Sequence, residues 1–373
     1  MKRKILVVLF SIHKAQEHEW FVDLINRERF DIEFALINGK GSFMDNFLKN
    51  HHVVTHYYSY SGKSDLPIVT WNLYRLIKRN MYDVVHTHLF ESNLAGITAA
   101  WLAGVKKRII TRHHPDFHHI YFPSAVKYDK FTNKLATDII AISKNVEQIL
   151  LDLESVPRSK VHLIHHGIDI TDYVNISNQK ERIDRIRSLY GLTSPSGPVI
   201  GVISRFIHWK GLQYIIPAFI EVLKEFPDAT LVLANAKGDY TGKVNELLAA
   251  VEPSRYRLIE FENDIVALYQ IFDCFVHVPV SAASEAFGQT YLEAMASKIP
   301  SVFTLSGVAP EFAVDKVNCL VVPFTDSDAI QNAVLYILKN KEEMKSLEQN
   351  GFDEVKKRFD IKVKINKLQE LYS

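Results

Sequence analysis

Two glutamates eight positions apart give the strongest chemical signal in the sequence. The segment SEAFGQTYLEAMA holds them as Glu285 and Glu293. Eight residues are close to two helical turns, so we expect both carboxylates on the same side of the element. Backbone N–H groups of Phe287, Gly288 and Gln289, where the predicted helix begins, favour an anion. The segment therefore predicts a site that accepts hydrogen bonds from hydroxyl groups beside an anion.

Two cations form a second candidate group. Arg205 and Lys210 lie in SRFIHWKG, on the loop between the apolar run PVIGVIS and a predicted helix, and Gly211 permits a tight turn there. Cations at this spacing can converge on a diphosphate, although a solvated pair explains the loop equally well when it is taken alone. Together with the two glutamates, they predict a site for a molecule with hydroxyls at one end and a diphosphate in the middle, which describes a nucleotide sugar.

The elements that must position these residues form two series. Short apolar runs alternate with amphipathic stretches along the chain, which is the βαβ pattern of parallel sheets. We therefore predict an α/β protein with two Rossmann-like parallel-sheet domains facing a cleft, where ligands bind beyond the carboxyl ends of the strands. The expected boundaries are 1–177 for the first, acceptor-side domain, 178–197 for a linker, 198–350 for the donor domain, and 351–373 for helices that return to the first domain.

Composition excludes several other classes of protein. The 373 residues contain 44 Lys+Arg against 43 Asp+Glu, a net charge of +1 that gives no field for nucleic acid. Cys274 and Cys319 each lie in an apolar run, so we expect buried thiols. The apolar stretches Ile5–Phe10 and Ala95–Val105 are too short for a signal peptide and for a membrane span, respectively. We expect a cytoplasmic protein, either free or attached peripherally to the inner face of the membrane.

Four motifs that would indicate other functions are absent or better explained in another way. No G-x-G-x-x-G follows a strand, which argues against a dinucleotide site, and the SGKS run at 61–64 has Tyr57 where a P-loop needs glycine. Asp326-Ser327-Asp328 resembles a metal-binding pair but opens a predicted helix, so N-capping explains it better. The histidine-rich run 113–119 contains Pro115, which breaks the register that a metal site on one helix face would need. We therefore predict no metal.

The combination of motifs resembles a known family, the retaining glycosyltransferases of the GT-B fold in glycosyltransferase family four. The resemblance spans essentially the whole chain and is most specific in SEAFGQTYLEAMA, followed by KIPSVFT and SGVAPEF. Supporting matches are SRFIHWKG, DVVHTH, TRHH, AISKN and HHGID. The glycine pair usual in the family after the first strand is replaced here by Ser11-Ile12-His13-Lys14.

This resemblance implies roles for the candidate residues. Arg205 and Lys210 match the cations that bind the donor diphosphate, Glu293 the carboxylate that holds the ribose, and Glu285 the one that contacts the transferred sugar. His113 matches the histidine that hydrogen-bonds the sugar near its reacting face. Phe287, Gly288 and Gln289 belong to the same donor site. The nucleotide sugar is then a co-substrate, UDP-sugars are favoured, and no other cofactor is needed.

The implied reaction moves the sugar to a hydroxyl acceptor with retention of configuration, in polysaccharide or glycoconjugate synthesis. Two alternatives stay open, a sugar-nucleotide epimerase of the same fold and a non-catalytic nucleotide-sugar-binding protein. The acceptor is a sugar or a lipid-linked sugar. The segment HHPDFHHIYFPSAVKYDKF mixes histidines, lysines and aromatics, and either rests on an anionic membrane or forms a hydrated loop with some core aromatics.

Overall fold

The computed structural model describes residues 2–114, 116–176, 179–193 and 197–373. The chain divides into two compact units, one formed by Met1–Gly167 with Ile361–Ser373 and the other by Ile168–Asp360. No helix in the described residues is long and apolar enough to cross a membrane.

The first unit is built on a seven-stranded parallel sheet in the order β3-β2-β1-β4-β5-β6-β7. Its strands are β1 Arg3–Phe10, β2 Phe30–Ile37, β3 Val54–Tyr58, β4 Val84–His88, β5 Lys107–Arg112, β6 Asp138–Ala141 and β7 Val161–Leu163. Its helices are α1 Gln16–Leu24, α2 Phe43–Asn50, α3 Leu66–Asn80, α4 Phe90–Ser92, α5 Thr98–Ala103, α6 Phe117–Tyr121, α7 Val126–Leu135, α8 Lys144–Gln148 and α17 Ile361–Tyr372. π-Helical turns at Asn93–Ile97 and Ile149–Leu153 extend α4 and α8, and 3₁₀ turns occur at Lys63–Asp65, Pro123–Ala125 and Arg158–Lys160.

The second unit contains a six-stranded parallel sheet in the order β10-β9-β8-β11-β12-β13. Its strands are β8 Val199–Ile203, β9 Thr230–Ala234, β10 Tyr256–Ile259, β11 Cys274–His277, β12 Ser301–Phe303 and β13 Leu320–Val321. Its helices are α9 Ile170–Asn175, α10 Lys180–Leu189, α11 Leu212–Glu225, α12 Thr241–Leu248, α13 Ile265–Tyr269, α14 Gln289–Ala296, α15 Ser327–Lys339 and α16 Lys341–Arg358. Shorter 3₁₀ turns lie at His208–Lys210, Pro253–Arg255 and Ala309–Glu311.

Burial on both faces explains why the strands are apolar runs. Every residue of the central strands β4, β8, β9 and β11 is buried, because helices cover the sheets on each side. The predicted class, two parallel-sheet α/β domains, is therefore confirmed. The thiols of Cys274 and Cys319 are buried, and the Asp326 side chain caps α15 by accepting from the Ala329 N–H at 2.9 Å, both as expected.

The unit boundaries differ from the expected 177, 198 and 351. Residues 168–176 and 179–189 belong to the second unit, where Arg182 on α10 forms an ion pair with Asp264 at 2.5 Å. Residues 178 and 194–196 of the expected linker lie outside the described residues. At the other end, α16 stays in the second unit to Arg358, and the segment that packs with the first unit is 361–373. A charged helix looks like a linker in sequence, but specific ion pairs can fix it to a domain.

Candidate active site

The cation loop of the second unit is shaped by one glycine. After β8 the chain turns through His208–Lys210 and reaches Gly211, which has φ +81°. A Cβ there would lie 2.1 Å from the carbonyl oxygen of Val278, at the end of β11. Only glycine permits both the left-handed backbone and this close approach. The loop is thereby held against the carboxyl end of the neighbouring strand, and the Val280 N–H donates to the Trp209 carbonyl at 3.0 Å.

Glu285 is the centre of a charged cluster. Its Oε1 accepts hydrogen bonds from the Lys210 ammonium and from Nε2 of His277, the last residue of β11, at 3.1 Å. Burial alone would raise the pKa of Glu285, but Lys210 and His277 outweigh it and lower this pKa to about 2. Glu285 is therefore a carboxylate at neutral pH, tied directly to one of the two predicted cations.

Glu293 has a contrasting environment, although it belongs to the same motif. It lies on α14, where the Tyr269 hydroxyl donates to its Oε2 at 3.1 Å and the Gln289 side chain also bonds it. Burial dominates here and raises the pKa of Glu293 to about 7. One glutamate is thus fully ionised at neutral pH, whereas the other is close to its titration midpoint.

The start of α14 requires glycine at one position. Gly288 precedes the helix with φ +89°, and a Cβ there would lie 2.5 Å from the ring of Tyr291. Phe287 is buried and packs near the ring of Phe359, with centroids 6.2 Å apart. Because the helix begins at Gln289, Glu285 precedes it. Helical spacing therefore does not determine the position of Glu285, which is set by the loop, and a common side for both carboxylates stays a prediction.

Arg205 is present but makes no contact with the glutamates. Its side chain is exposed, and among the described residues it has no ion pair or side-chain hydrogen bond. The structure thus brings Lys210 and Glu285 together and places Gln289 against Glu293. Arg205 remains a solvated cation on the same loop as Lys210.

His113 belongs to the first unit and follows β5 directly. Its ring is partly buried, and its Nε2 forms a hydrogen bond with Nδ1 of His88, at the end of the adjacent strand β4, at 3.0 Å. Burial lowers the pKa of His113 well below its usual value, with Glu17 opposing the effect. The ring is therefore neutral at physiological pH.

Sequence reasoning missed the partners of these residues. His277, Tyr269 and His88 were not singled out, although each contacts a predicted site residue. His277 and His88 each end an apolar strand, and polar side chains at the carboxyl ends of parallel strands are the signal that could have found them. Tyr269 sits in an apolar helix and carries no comparable signal.

Two side-chain groups in the described residues are close enough to consider for a metal ion. They are Glu17 with His113 and His166, and His114 with His118 and Asp129. In the first, the Lys364 ammonium contacts both Glu17 and His166, which puts a cation there already. In the second, His118 bonds Asp129 directly at 2.5 Å, and Arg112 lies 3.5 Å from the same carboxylate. We assign no metal to either group, and metal-independence stays a prediction.

Comparison with known proteins agrees with this architecture. Residues 24–172 match the family described as Glycosyltransferase Family 4, and residues 192–354 match Glycosyl transferases group 1. The UDP-Gal:alpha-D-GlcNAc-diphosphoundecaprenol alpha-1,3-galactosyltransferase of Escherichia coli is 22% identical, over 99% of this chain and 95% of that protein. The alpha-monoglucosyldiacylglycerol synthase of Acholeplasma laidlawii is 23% identical, over 74% of this chain and 72% of that protein.

A solved structure shares the fold over nearly the full length. The crystal structure of HepE from Anabaena in complex with UDP superposes with a TM-score of 0.82 at 19% identity, covering 99% of this chain and 98% of that one. The Family 4 match lies mainly in the first unit, and the group 1 match lies within the second. The chain is therefore a glycosyltransferase of the GT-B fold, with a Glycosyltransferase Family 4 domain followed by a Glycosyl transferases group 1 domain.

Proposed function

We propose that this glycosyltransferase moves a sugar from a UDP-sugar to a hydroxyl of a lipid-linked sugar, with retention of anomeric configuration. The observation that carries the donor part is the cluster of Lys210, Glu285 and His277 beside the glycine-initiated start of α14. The UDP base is favoured by the names of the similar proteins, which include a UDP-galactose-dependent enzyme and a UDP complex.

Each residue has a distinct task in this proposal. The Lys210 ammonium and the Arg205 guanidinium neutralise the diphosphate, with help from the backbone N–H groups that open α14. The Glu293 carboxylate accepts hydrogen bonds from the ribose hydroxyls. Glu285 holds Lys210 and faces the transferred sugar, where its charge stabilises positive charge that develops on the ring. Because the protein supplies the cations, we expect no loss of activity with a metal chelator.

The reaction then proceeds by departure of the UDP diphosphate from the anomeric carbon and attack by the acceptor hydroxyl on the same face. The bond from the anomeric carbon to the phosphate oxygen breaks, the bond to the acceptor oxygen forms, and the acceptor proton passes to the departing phosphate oxygen. His113 is neutral and hydrogen-bonds a sugar hydroxyl near this face. Its replacement by alanine should slow transfer more than it weakens nucleotide binding.

Nucleotide binding can be tested without an acceptor. A ligand that binds only the folded protein raises its stability according to its concentration relative to the dissociation constant. We expect UDP to raise the melting temperature more than GDP, ADP or NAD, and Lys210→Ala to remove most of this gain. Lys224→Ala is the matched control, since Lys224 is an exposed lysine on α11 that pairs with Glu221. Stabilisation by NAD alone would contradict the transferase proposal.

Transfer itself distinguishes the alternatives that the sequence left open. Release of UDP from UDP-galactose or UDP-glucose should require an acceptor such as N-acetylglucosamine diphosphate linked to a long alkyl chain. An epimerase would convert the nucleotide sugar without an acceptor, and a binding protein would bind UDP but release nothing. Either result would overturn the transferase proposal for this chain.

A surface of the first unit supports the lipid-linked acceptor. A largely apolar groove of about 700 Å³ lies between α3, α5 and α7 and includes Trp71, Leu102 and Phe131. The sole acidic residue of these three helices is Asp129, which is buried, so their exposed charges are all basic. Exposed aromatics with lysines and arginines are typical of surfaces that rest on anionic lipid. We therefore extend the proposal to peripheral contact with an anionic bilayer at the cytoplasmic face.

Vesicle sedimentation tests this part of the proposal. At low salt the protein should bind vesicles of equal parts phosphatidylcholine and phosphatidylglycerol, and bind pure phosphatidylcholine weakly, because the attraction is electrostatic. Phe131→Ser should lower the bound fraction severalfold. Phe261→Ser is the control, since Phe261 is exposed on the second unit. Absence of binding to the anionic vesicles would overturn the membrane contact.

A further inference from the structure

A cluster of buried and partly buried titratable side chains surrounds His113 in the first unit. It joins residues far apart in sequence, because α1, α17 and the ends of β4, β5 and β7 all contribute to it. Neighbouring rings lie close together, with centroids 4.6 Å apart for His18 and His88 and 5.4 Å apart for His113 and His166. The members are Glu17, His18, His86, His88, His113, His166, Lys364 and Tyr372.

One hydrogen bond of this cluster involves the ring of His113. His88 is 4% exposed, and its Nδ1 lies 3.0 Å from Nε2 of His113. A hydrogen bond between two neutral imidazoles contains one proton, so the proton on one ring determines the tautomer of the other. With Nε2 of His113 engaged in this way, Nδ1 is the ring nitrogen left for a substrate hydroxyl.

The surroundings keep this pair of rings neutral. Burial lowers the pKa values of both His88 and His113, with Glu17 opposing the effect. Glu17 is itself engaged, since it pairs with the buried Lys364 and lies 3.0 Å from Nδ1 of His166. Glu17 therefore has cationic and polar partners of its own, and its effect on the pKa of His113 does not outweigh burial.

We propose that His88 is a positioning residue for the transfer reaction, which fixes the ring orientation and tautomer of His113 through their shared hydrogen bond. This inference rests on the proposed function, in which His113 hydrogen-bonds the sugar at its reacting face. His88 itself acts only through His113. His88 keeps Nδ1 of the His113 ring directed at the substrate hydroxyl and in a defined protonation state. This matters because a small misplacement of a group near the reacting centre lowers the reaction rate strongly.

The test compares four proteins in the UDP-galactose and UDP-glucose release assay with the alkyl-linked acceptor. His88→Phe keeps the volume of the ring but removes its nitrogens, whereas His88→Asn keeps an amide near the position of Nδ1 that can still bond His113. Tyr372→Phe removes a different hydrogen bond of the cluster, the 2.7 Å contact of the Tyr372 hydroxyl with Nδ1 of His86. Wild type is the fourth protein.

We expect His88→Phe to lower kcat by about 10- to 100-fold with the donor KM changed less than about twofold, since positioning affects the transition state. His88→Asn should recover most of kcat, and Tyr372→Phe should keep the wild-type kcat even if its melting temperature falls. A purely structural role would make His88→Asn as slow as His88→Phe, or Tyr372→Phe as slow as both. Either pattern, or a wild-type kcat in His88→Phe, overturns the inference.

Failure of the proposed function gives a different result from failure of this inference. A wild-type protein that transfers neither sugar overturns both. A wild-type protein that transfers, with His88→Phe equally active, overturns the positioning role of His88 alone. If His88→Phe does not fold, His88→Ala replaces it, with the same expected kcat and the same rescue by His88→Asn.

Discussion

The two glutamates of the donor motif should have opposite effects on the stability of the unliganded protein. The pKa of Glu293 is raised by burial to about 7, and the pKa of Glu285 is lowered to about 2 because Lys210 and His277 outweigh burial. Each value differs from the usual 4.5 by an amount that corresponds to about 3 kcal/mol of folding free energy, in opposite directions.

The sign follows from proton binding. Between pH 4.5 and 7 the folded protein holds a proton on Glu293 that the unfolded chain has lost, so stability falls as pH rises through this window. Glu293→Gln removes this penalty and should stabilise the second unit by up to about 3 kcal/mol at pH 8, with little gain at pH 5. Glu285 contributes stability above pH 4.5 that is lost as pH falls towards 2, so Glu285→Gln should destabilise at both pH values.

Urea unfolding measures both effects when it is followed by fluorescence in a background where Trp20, Trp71 and Trp101 are replaced by phenylalanine, because Trp209 is the one tryptophan of the second unit. UDP affinity measured on the same samples should fall in Glu293→Gln, so that a gain in stability accompanies a loss of binding. The reasoning is refuted if the two variants change stability in the same direction at pH 8. It is also refuted if the gain of Glu293→Gln is as large at pH 5 as at pH 8.

Three further outcomes follow from the geometry. Uridine, which has no phosphate to titrate, should bind about tenfold more weakly at pH 6 than at pH 8, because protonation of Glu293 removes a hydrogen-bond acceptor for the ribose. Equal affinities in calorimetry at the two pH values would contradict this. Gly288→Ala should lower the free energy of unfolding by at least about 1 kcal/mol and weaken UDP binding, since φ is +89° and the new Cβ would lie 2.5 Å from the ring of Tyr291. An unchanged melting temperature and an unchanged UDP affinity would count against this. Arg112→Leu should destabilise the first unit by about 3 kcal/mol in urea unfolding monitored by circular dichroism, because the buried Glu154 would lose the guanidinium 2.8 Å away and keep only Asn133 and His119. A loss below about 1 kcal/mol would show that the pair is dispensable.

The sequence was sufficient for most of the fold because buried parallel strands are continuous apolar runs. An exception is β7, where only Val161–Leu163 is extended and histidines lie in and after the strand, so the apolar run is too short to indicate a strand. It also placed the linker too broadly, since the ion pair of Arg182 with Asp264 joins positions 82 residues apart that no local pattern connects.

The charged residues of the candidate site could be predicted from the sequence, but the contacts between them could not. Lys210, Glu285 and Glu293 were found from residue type and spacing. Their partners depend on which strands are neighbours. Lys210 reaches Glu285 because β8 lies beside β11, and His88 reaches His113 because β4 lies beside β5. The opposite pKa shifts of the two glutamates likewise depend on burial and on tertiary contacts that spacing does not reveal.

The placement of α17 has a consequence for how the protein is made. Ile361, Ile365, Leu368 and Tyr372 belong to the same hydrophobic core as β1 and β2, although the whole second unit separates them in sequence. The ribosome therefore completes the second unit before it delivers the residues that close the core of the first. The sheet of the first unit is synthesised first, but its core is completed last. Until α17 packs on it, the apolar surface of this sheet can bind chaperones or aggregate. A premature stop just before residue 361 would accordingly damage the amino-terminal unit and leave the second unit intact in sequence.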